Sequence, residues 1–398
     1  MKVLHVAGGM NLDAGGPTRS VANSVLACVD AGLDVTLAFP DEVSERLRDR
    51  SDLRGIGQRG GKLEIFPLSA PGAGLARRYG VSLPLMRYVA SRMGEFDVVH
   101  LHGAWLAGSL AAALGGHHTG ARRQRPLVVL SPHETLTRFD LAQSRSPVTR
   151  TLKRLGRRTI ERRLDAIVYS SELERHDSAH DSKRLRGFVV HHPVGTEQAV
   201  GLEAAVGDGT LRVGFLGRFH PKKNLAELIR AVARLHGEAA TLEVAGMGPV
   251  QEVARLRRLS AEAGLGERVR WHGFVDGAAK LAFLRGVDLL AMPSAYECFG
   301  MAAAEALACG VPVLVGERVG VAPVVRHHGC GFVVPPRAEA IAGALAEAAQ
   351  DPARLAAMAA RAAVAARAAF SFAAHGAALR QTYEELAGCR RGDTRKGT

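Results

Sequence analysis

Residues 288–313 read DLLAMPSAYECFGMAAAEALACGVPV. The run DLLAM is short, apolar and bounded by Pro293, which reads as a buried strand. A helix then starts near Met301 and ends at Gly310, a residue that commonly closes helices. Glu297 lies in the loop between them and Glu305 in the second turn of the helix. Cys298, Phe299, Gly300 and Met301 therefore span a helix N-terminus, where free N–H groups and the helix dipole favour an anion. A carboxylate on either side of that point is placed to hold hydroxyl groups of the same ligand. An amphipathic helix with two solvated glutamates would also supply such a pair, but not the strand and the glycine-led turn around it.

Three further segments have the same strand–turn–helix form. Residues 214–224, GFLGRFHPKKN, place Arg218, Lys222 and Lys223 just before a helix. Cations there oppose the helix dipole and become understandable if an anion sits among them. Gly15 and Gly16 precede Pro17-Thr18 between a first strand and a first helix. The glycines permit close backbone approach and Pro17 suits a first helical turn. Ser131-Pro-His133-Glu134 follows the strand LVVL, so His133 stands at a strand's carboxyl end, a favoured place for function.

The whole chain of 398 residues alternates in this way. It exceeds the size at which one core stops growing, so two domains are expected. Apolar runs at Val3–Ala7, Val35–Phe39, Leu63–Pro67, Asp97–His102, Leu127–Ser131 and Ala166–Ser170 predict one parallel sheet. Runs at Arg212–Leu216, Thr241–Ala245, Arg268–Trp271, Asp288–Met292, Val313–Gly316 and Phe332–Val334 predict another. The fold class is α/β. Residues 1–200 form the first domain and 208–372 the second, joined by a linker within 194–210. A final helix at 373–388 packs back on the first domain, and the tail 389–398 is expected to be disordered.

The glutamate string, with seven residues between Glu297 and Glu305, resembles the family-4 retaining glycosyltransferases of the GT-B fold. The resemblance spans essentially the whole chain and is strongest over residues 211–335. It implies two Rossmann-like doubly wound domains facing across a cleft, with donor binding in the second and acceptor binding in the first. It also implies that Glu297 and the amides that follow it hold the donor sugar, that Glu305 holds the ribose, and that Arg218 and Lys223 bind the diphosphate. Gly15 and Gly16 approach the diphosphate from the first domain, His133 lies near the donor sugar and acceptor, and His102 is a weaker acceptor contact. The expected donor is a UDP- or GDP-linked nucleotide sugar and no metal is needed. The expected acceptor is a glycan, a lipid-linked or a small molecule, in bacterial polysaccharide or glycoconjugate synthesis.

Several other patterns fail their context. Gly55-x-Gly57-x-x-Gly60 precedes a strand instead of following one, so it does not read as a dinucleotide site. There is no P-loop and no D-x-D metal handle. His176 and His180 lack a third ligand. The five cysteines form no C-x-x-C pair and read as reduced thiols. The net charge of +13 attracts anions generally, but aromatics make up only 5% and do not interleave with basic runs, which argues against nucleic acid. Residues 145–163 read as a basic amphipathic helix, with Val148, Leu152 and Leu155 packing inward and a basic side offered to an anionic membrane surface. No run of ~18 uncharged apolar residues occurs, and the N-terminus lacks a leader-like apolar core, so the expected location is cytoplasmic. A sugar-nucleotide epimerase or a phosphorylase of the same fold is the alternative reading.

Overall fold

The computed structural model describes residues 1–10, 16–41, 50–69, 79–114, 125–143, 147–178, 185–195, 210–235 and 239–395. The chain divides into two compact units, one of Met1–Pro193 with Phe372–Thr398 and one of Val194–Ser371. The division falls at Pro193, at the head of the segment read as a linker, most of which lies outside the described residues.

The first unit contains a parallel sheet of β1 (Lys2–Val6), β2 (Asp34–Pro40), β3 (Lys62–Phe66), β4 (Val98–His102), β5 (Leu127–Ser131), β6 (Ala166–Tyr169) and β7 (Arg186–Val189). Their spatial order is β3-β2-β1-β4-β5-β6-β7. Alternate residues of one strand serve opposite faces: Val3 packs with Val25, Leu37 and Tyr383, whereas Leu4 packs with Leu85, Val99 and Leu101. Both faces are thus covered, which is why these strands are apolar almost throughout.

The second unit repeats the plan with β8 (Leu211–Leu216), β9 (Ala240–Ala245), β10 (Val269–Gly273), β11 (Leu289–Met292), β12 (Val313–Gly316) and β13 (Gly331–Val334). The order is β10-β9-β8-β11-β12-β13. In each sheet the strand order reverses beside the first strand, between β1 and β4 and between β8 and β11. In open sheets of this kind, ligands bind outside the carboxyl ends of the strands at that reversal.

Two expectations are corrected here. The last helix, Phe372–Arg395, continues into the tail read as disordered. Arg390 holds it there by donating to the Arg125 carbonyl at 2.9 Å. Pro352–Arg390 is a stretch apolar enough by composition to cross a membrane, but it breaks at Ser371 into two helices, each of which packs one face on its own unit. Ala362, Ala365, Ala366 and Phe370 pack in the second unit, and Leu379, Tyr383 and Leu386 in the first. Its high hydropathy comes from alanines that let helices approach closely. In the basic helix Pro147–Glu161, Leu155 is 55% exposed and not packed inward. The packed face instead runs through Gly156, against Trp105, and buried Ile160. Lys153 and Arg157 on its basic side are paired with Asp140 and Glu161.

Candidate active site

In the second unit the sequence segments singled out above converge at the strand-order reversal. The turn after β8 carries Arg218 and a short 3-10 turn, Pro221–Lys223, closed by Asn224 in the left-handed conformation (φ 62°). Phe219 anchors that turn in the core. The turn after β11 carries Glu297 and ends at Gly300 (φ 108°), which starts the helix Met301–Ala308 with no side-chain cap. A Cβ on Gly300 would lie 2.8 Å from both Met292 and Val319, so the glycine is dictated by space as well as by φ.

Lys223 Nζ lies 2.8 Å from Glu297 Oε1, and both side chains are largely buried. The approach is a charge contact without hydrogen-bond alignment, so this buried carboxylate oxygen accepts no hydrogen bond among the described residues. Ser294 Oγ, in the same loop, is likewise buried and unsatisfied. Buried polar atoms without partners are uncommon and call for an explanation; an incoming ligand is one. Glu305 pairs with Lys280 at 2.7 Å. Arg218 is exposed and makes no ion pair among the described residues. His220 is held below its usual pKa by partial burial, and then by the charges of Lys222, Arg218 and Lys223, which reports a concentrated positive potential in this turn. Lys222 turns its backbone to the site's support: its carbonyl accepts from Ala295 N at 2.8 Å.

The segment 316–321 was not anticipated. It runs beside the Glu297 loop, with Glu297 N donating to Arg318 O and Gly320 N to Glu297 O. A Cβ on Gly320 would sit 2.2 Å from Cys298 O, and one on Gly316 2.3 Å from Ser294 O. The paired glycines of GERVG were the available signal. Lys280 gave none, being 25 residues upstream on a separate helix.

In the first unit, Gly15 lies outside the described residues and Gly16 begins the helix Gly16–Asp30. His133 (φ 50°) and Glu134 (φ 75°) both adopt left-handed backbone conformations, which are strained for such residues. Glu174, fully buried, holds them: one carboxylate oxygen accepts from Glu134 N at 2.6 Å and the other from Ser170 N and Oγ at 2.7 Å. Burial raises its pKa against the opposing pull of those bonds. Glu174→Ala leaves two backbone donors without acceptors, at about 1–3 kcal/mol each. Calorimetry should show a melting temperature several degrees lower, with Glu174→Gln affected less; an unchanged melting point in Glu174→Ala would remove this clamp.

His102 sits behind His133. It is 3% exposed, and its two ring nitrogens bond to His5 and His133, so it is not open to an acceptor as expected. The ring nitrogens of His5, His100 and His102 lie within 4.8 Å of one another. His100, however, is engaged at both nitrogens by Tyr383 and Ser131, so its lone pairs serve hydrogen bonds and not a cation. The decoy Gly55–Gly57 lies on the helix Ser51–Gln58. All five cysteines are free thiols, with Cys28, Cys309 and Cys330 buried, Cys298 partly buried and Cys389 exposed.

Residues 204–365 match the family model of glycosyl transferases group 1, and residues 15–191 match the glycosyl transferase 4-like domain. The D-inositol 3-phosphate glycosyltransferase of Mycolicibacterium smegmatis is 28% identical over 80% of this chain and 74% of its own. Two solved structures share the fold. An Anabaena HepE protein in complex with UDP and glucose is 19% identical, covers 96% of this chain and 99% of its own, and has a TM-score of 0.73. Sucrose-phosphate synthase from Thermosynechococcus elongatus is 19% identical, covers 98% and 100%, and has a TM-score of 0.72. With both sheets in the doubly wound order and both halves matched, the chain belongs to the group-1 glycosyl transferases and has the GT-B fold.

Proposed function

We propose that this enzyme moves a sugar from a nucleotide-diphosphate donor to an acceptor, with retention of anomeric configuration and without a metal. The observation that carries this is the buried Glu297–Lys223 pair beside the uncapped N-terminus of helix Met301–Ala308, at the strand-order reversal. As the glycosidic bond breaks, negative charge develops on the departing diphosphate. Arg218, Lys223 and the helix N-terminus supply preorganised positive potential for that charge. Glu297 is placed to accept hydrogen bonds from the sugar hydroxyls, and Glu305 from the ribose. Retention rests on the family resemblance, with same-face attack as the preferred course.

Donor and acceptor are identified by incubating the protein with UDP- and GDP-linked sugars and a panel of acceptors, then analysing products by mass spectrometry. The relatives named for D-inositol 3-phosphate make phosphorylated polyols one arm of that panel; lipid-linked glycans are another. EDTA should leave transfer intact. Loss of activity in EDTA that magnesium or manganese restores would overturn the metal-free reading. An epimerised sugar nucleotide, or release that requires free phosphate, would instead favour an epimerase or a phosphorylase.

A further inference from the structure

The first unit contains a row of imidazoles that runs inward from His133. His5 Nδ1 lies 2.9 Å from His102 Nε2, and His102 Nδ1 lies 3.0 Å from His133 Nε2. The ring planes differ by only 17° and 24°, with centroids 5.2 and 5.3 Å apart. Those separations equal one N···N hydrogen bond plus two ring radii. The three rings are therefore joined edge to edge in a ribbon. Strand order makes this possible: β1 lies between β2 and β4, β4 between β1 and β5, and His133 follows β5. His192 lies beside His133, centroids 5.1 Å apart, but no hydrogen bond joins them among the described residues.

Each neutral imidazole has one N–H and one bare nitrogen. Burial keeps His5 and His102 neutral, pulling His5 down to about 3 and His102 well below its usual value. The two hydrogen bonds must then point the same way. At the inner end, His5 Nε2 is buried with no partner among the described residues. If the bonds ran inward, that nitrogen would be an orphaned N–H donor. If they ran outward, it would be a bare lone pair. Buried donors without acceptors are the rarer of the two.

We propose that His5, His102 and His133 form a one-way chain with the proton on Nδ1 of each ring, so that His133 presents Nδ1–H as a hydrogen-bond donor and not as a base. The partner is an oxygen of the glycosyl donor or acceptor; this clause alone rests on the proposed function of the site. His102 is then a positioning residue: it fixes the tautomer and plane of a ring carried on a strained backbone.

The test is a long-range 1H–15N correlation spectrum of 15N-histidine-labelled protein at pH 7.5, assigned with His5→Asn, His102→Asn and His133→Asn. The expected result is a protonated Nδ1 and a bare Nε2 in all three rings. Protonation of His102 or His133 on Nε2, or a mixture of tautomers, overturns the chain. Asparagine at 102 places an amide N–H where Nδ1–H stood, so His102→Asn should keep the His133 tautomer and hold kcat within about threefold. His102→Phe should mix the tautomers and lower kcat about tenfold, the worth of one lost hydrogen bond. Equal kcat in both variants overturns the positioning role. A substrate that shifts neither His133 nitrogen overturns the ligand contact while the chain itself stands.

Discussion

Replacing Glu297 by glutamine lowers kcat by about 100-fold or more, while replacing Glu305 by alanine mainly raises the KM for the donor. The difference follows from where each carboxylate acts. Glu297 adjoins the helix N-terminus and Lys223; on the proposed function this is where charge separates in the transition state, so its loss is felt in turnover. Glu305 is one turn further along the helix, paired with Lys280; on the proposed function it holds the ribose, a part of the donor that does not react. Glutamine keeps the volume and one acceptor oxygen of Glu297, so an effect of this size reflects the charge and not packing. Steady-state kinetics on both variants, run well below their melting temperatures, decide it. Wild-type kcat in Glu297→Gln would remove that residue from the reacting centre.

Acid destabilises the first unit steeply. His5, His100, His102, His192 and His375 are all buried, and burial is the leading cause of a lowered pKa in each. His375 falls to about 4 and is held by Ser24 Oγ and the His191 carbonyl. For a group whose folded pKa is depressed below its unfolded value, stability is full above the unfolded pKa and is lost as pH falls toward the folded one. The window therefore opens near 6.5 and extends down toward 4 for His375 and about 3 for His5. Each histidine that protonates only on unfolding costs about 1.4 kcal/mol per pH unit. Several acting together remove stability on the scale of a whole domain within one or two pH units. Melting temperatures recorded from pH 7.5 to 4.5 should fall with a slope of more than one proton. A flat profile through pH 6 would mean that these rings are solvated or already charged in the folded protein.

The sheets were legible because a strand covered on both faces must be apolar, and runs such as VVHLH and LVVLS have no other plain use. The proposed donor site was legible because its residues fall within two short segments, 217–223 and 297–305, each at the end of such a strand. β7 was missed: RGFV is too short and mixed to register as a buried run. The tail was misjudged because its charges suggest solvent, whereas Arg390 uses one of them to dock on Arg125 O. The contacts of Glu174 with Glu134 and of Lys280 with Glu305 left no local trace, since the partners lie 40 and 25 residues apart in sequence. The histidine row is the clearest case. Positions 5, 102 and 133 are unrelated until the strand order is known, and then they are neighbours.

On the proposed function, the turn after β8 and the helix at Met301 together bind a nucleoside diphosphate. Calorimetric titration of UDP and GDP, free and sugar-linked, tests it directly when run in EDTA on the wild type and on Arg218→Ala, Lys223→Ala and Lys222→Ala. Lys223→Ala also strands Glu297 without its cation, so its melting temperature is recorded as a control. The wild type should bind one of these nucleotides. Affinity should fall at least tenfold, about 1.4 kcal/mol, in the Arg218 and Lys223 variants and stay unchanged in Lys222→Ala. Undiminished binding by all three variants, or loss in Lys222→Ala alone, would contradict it.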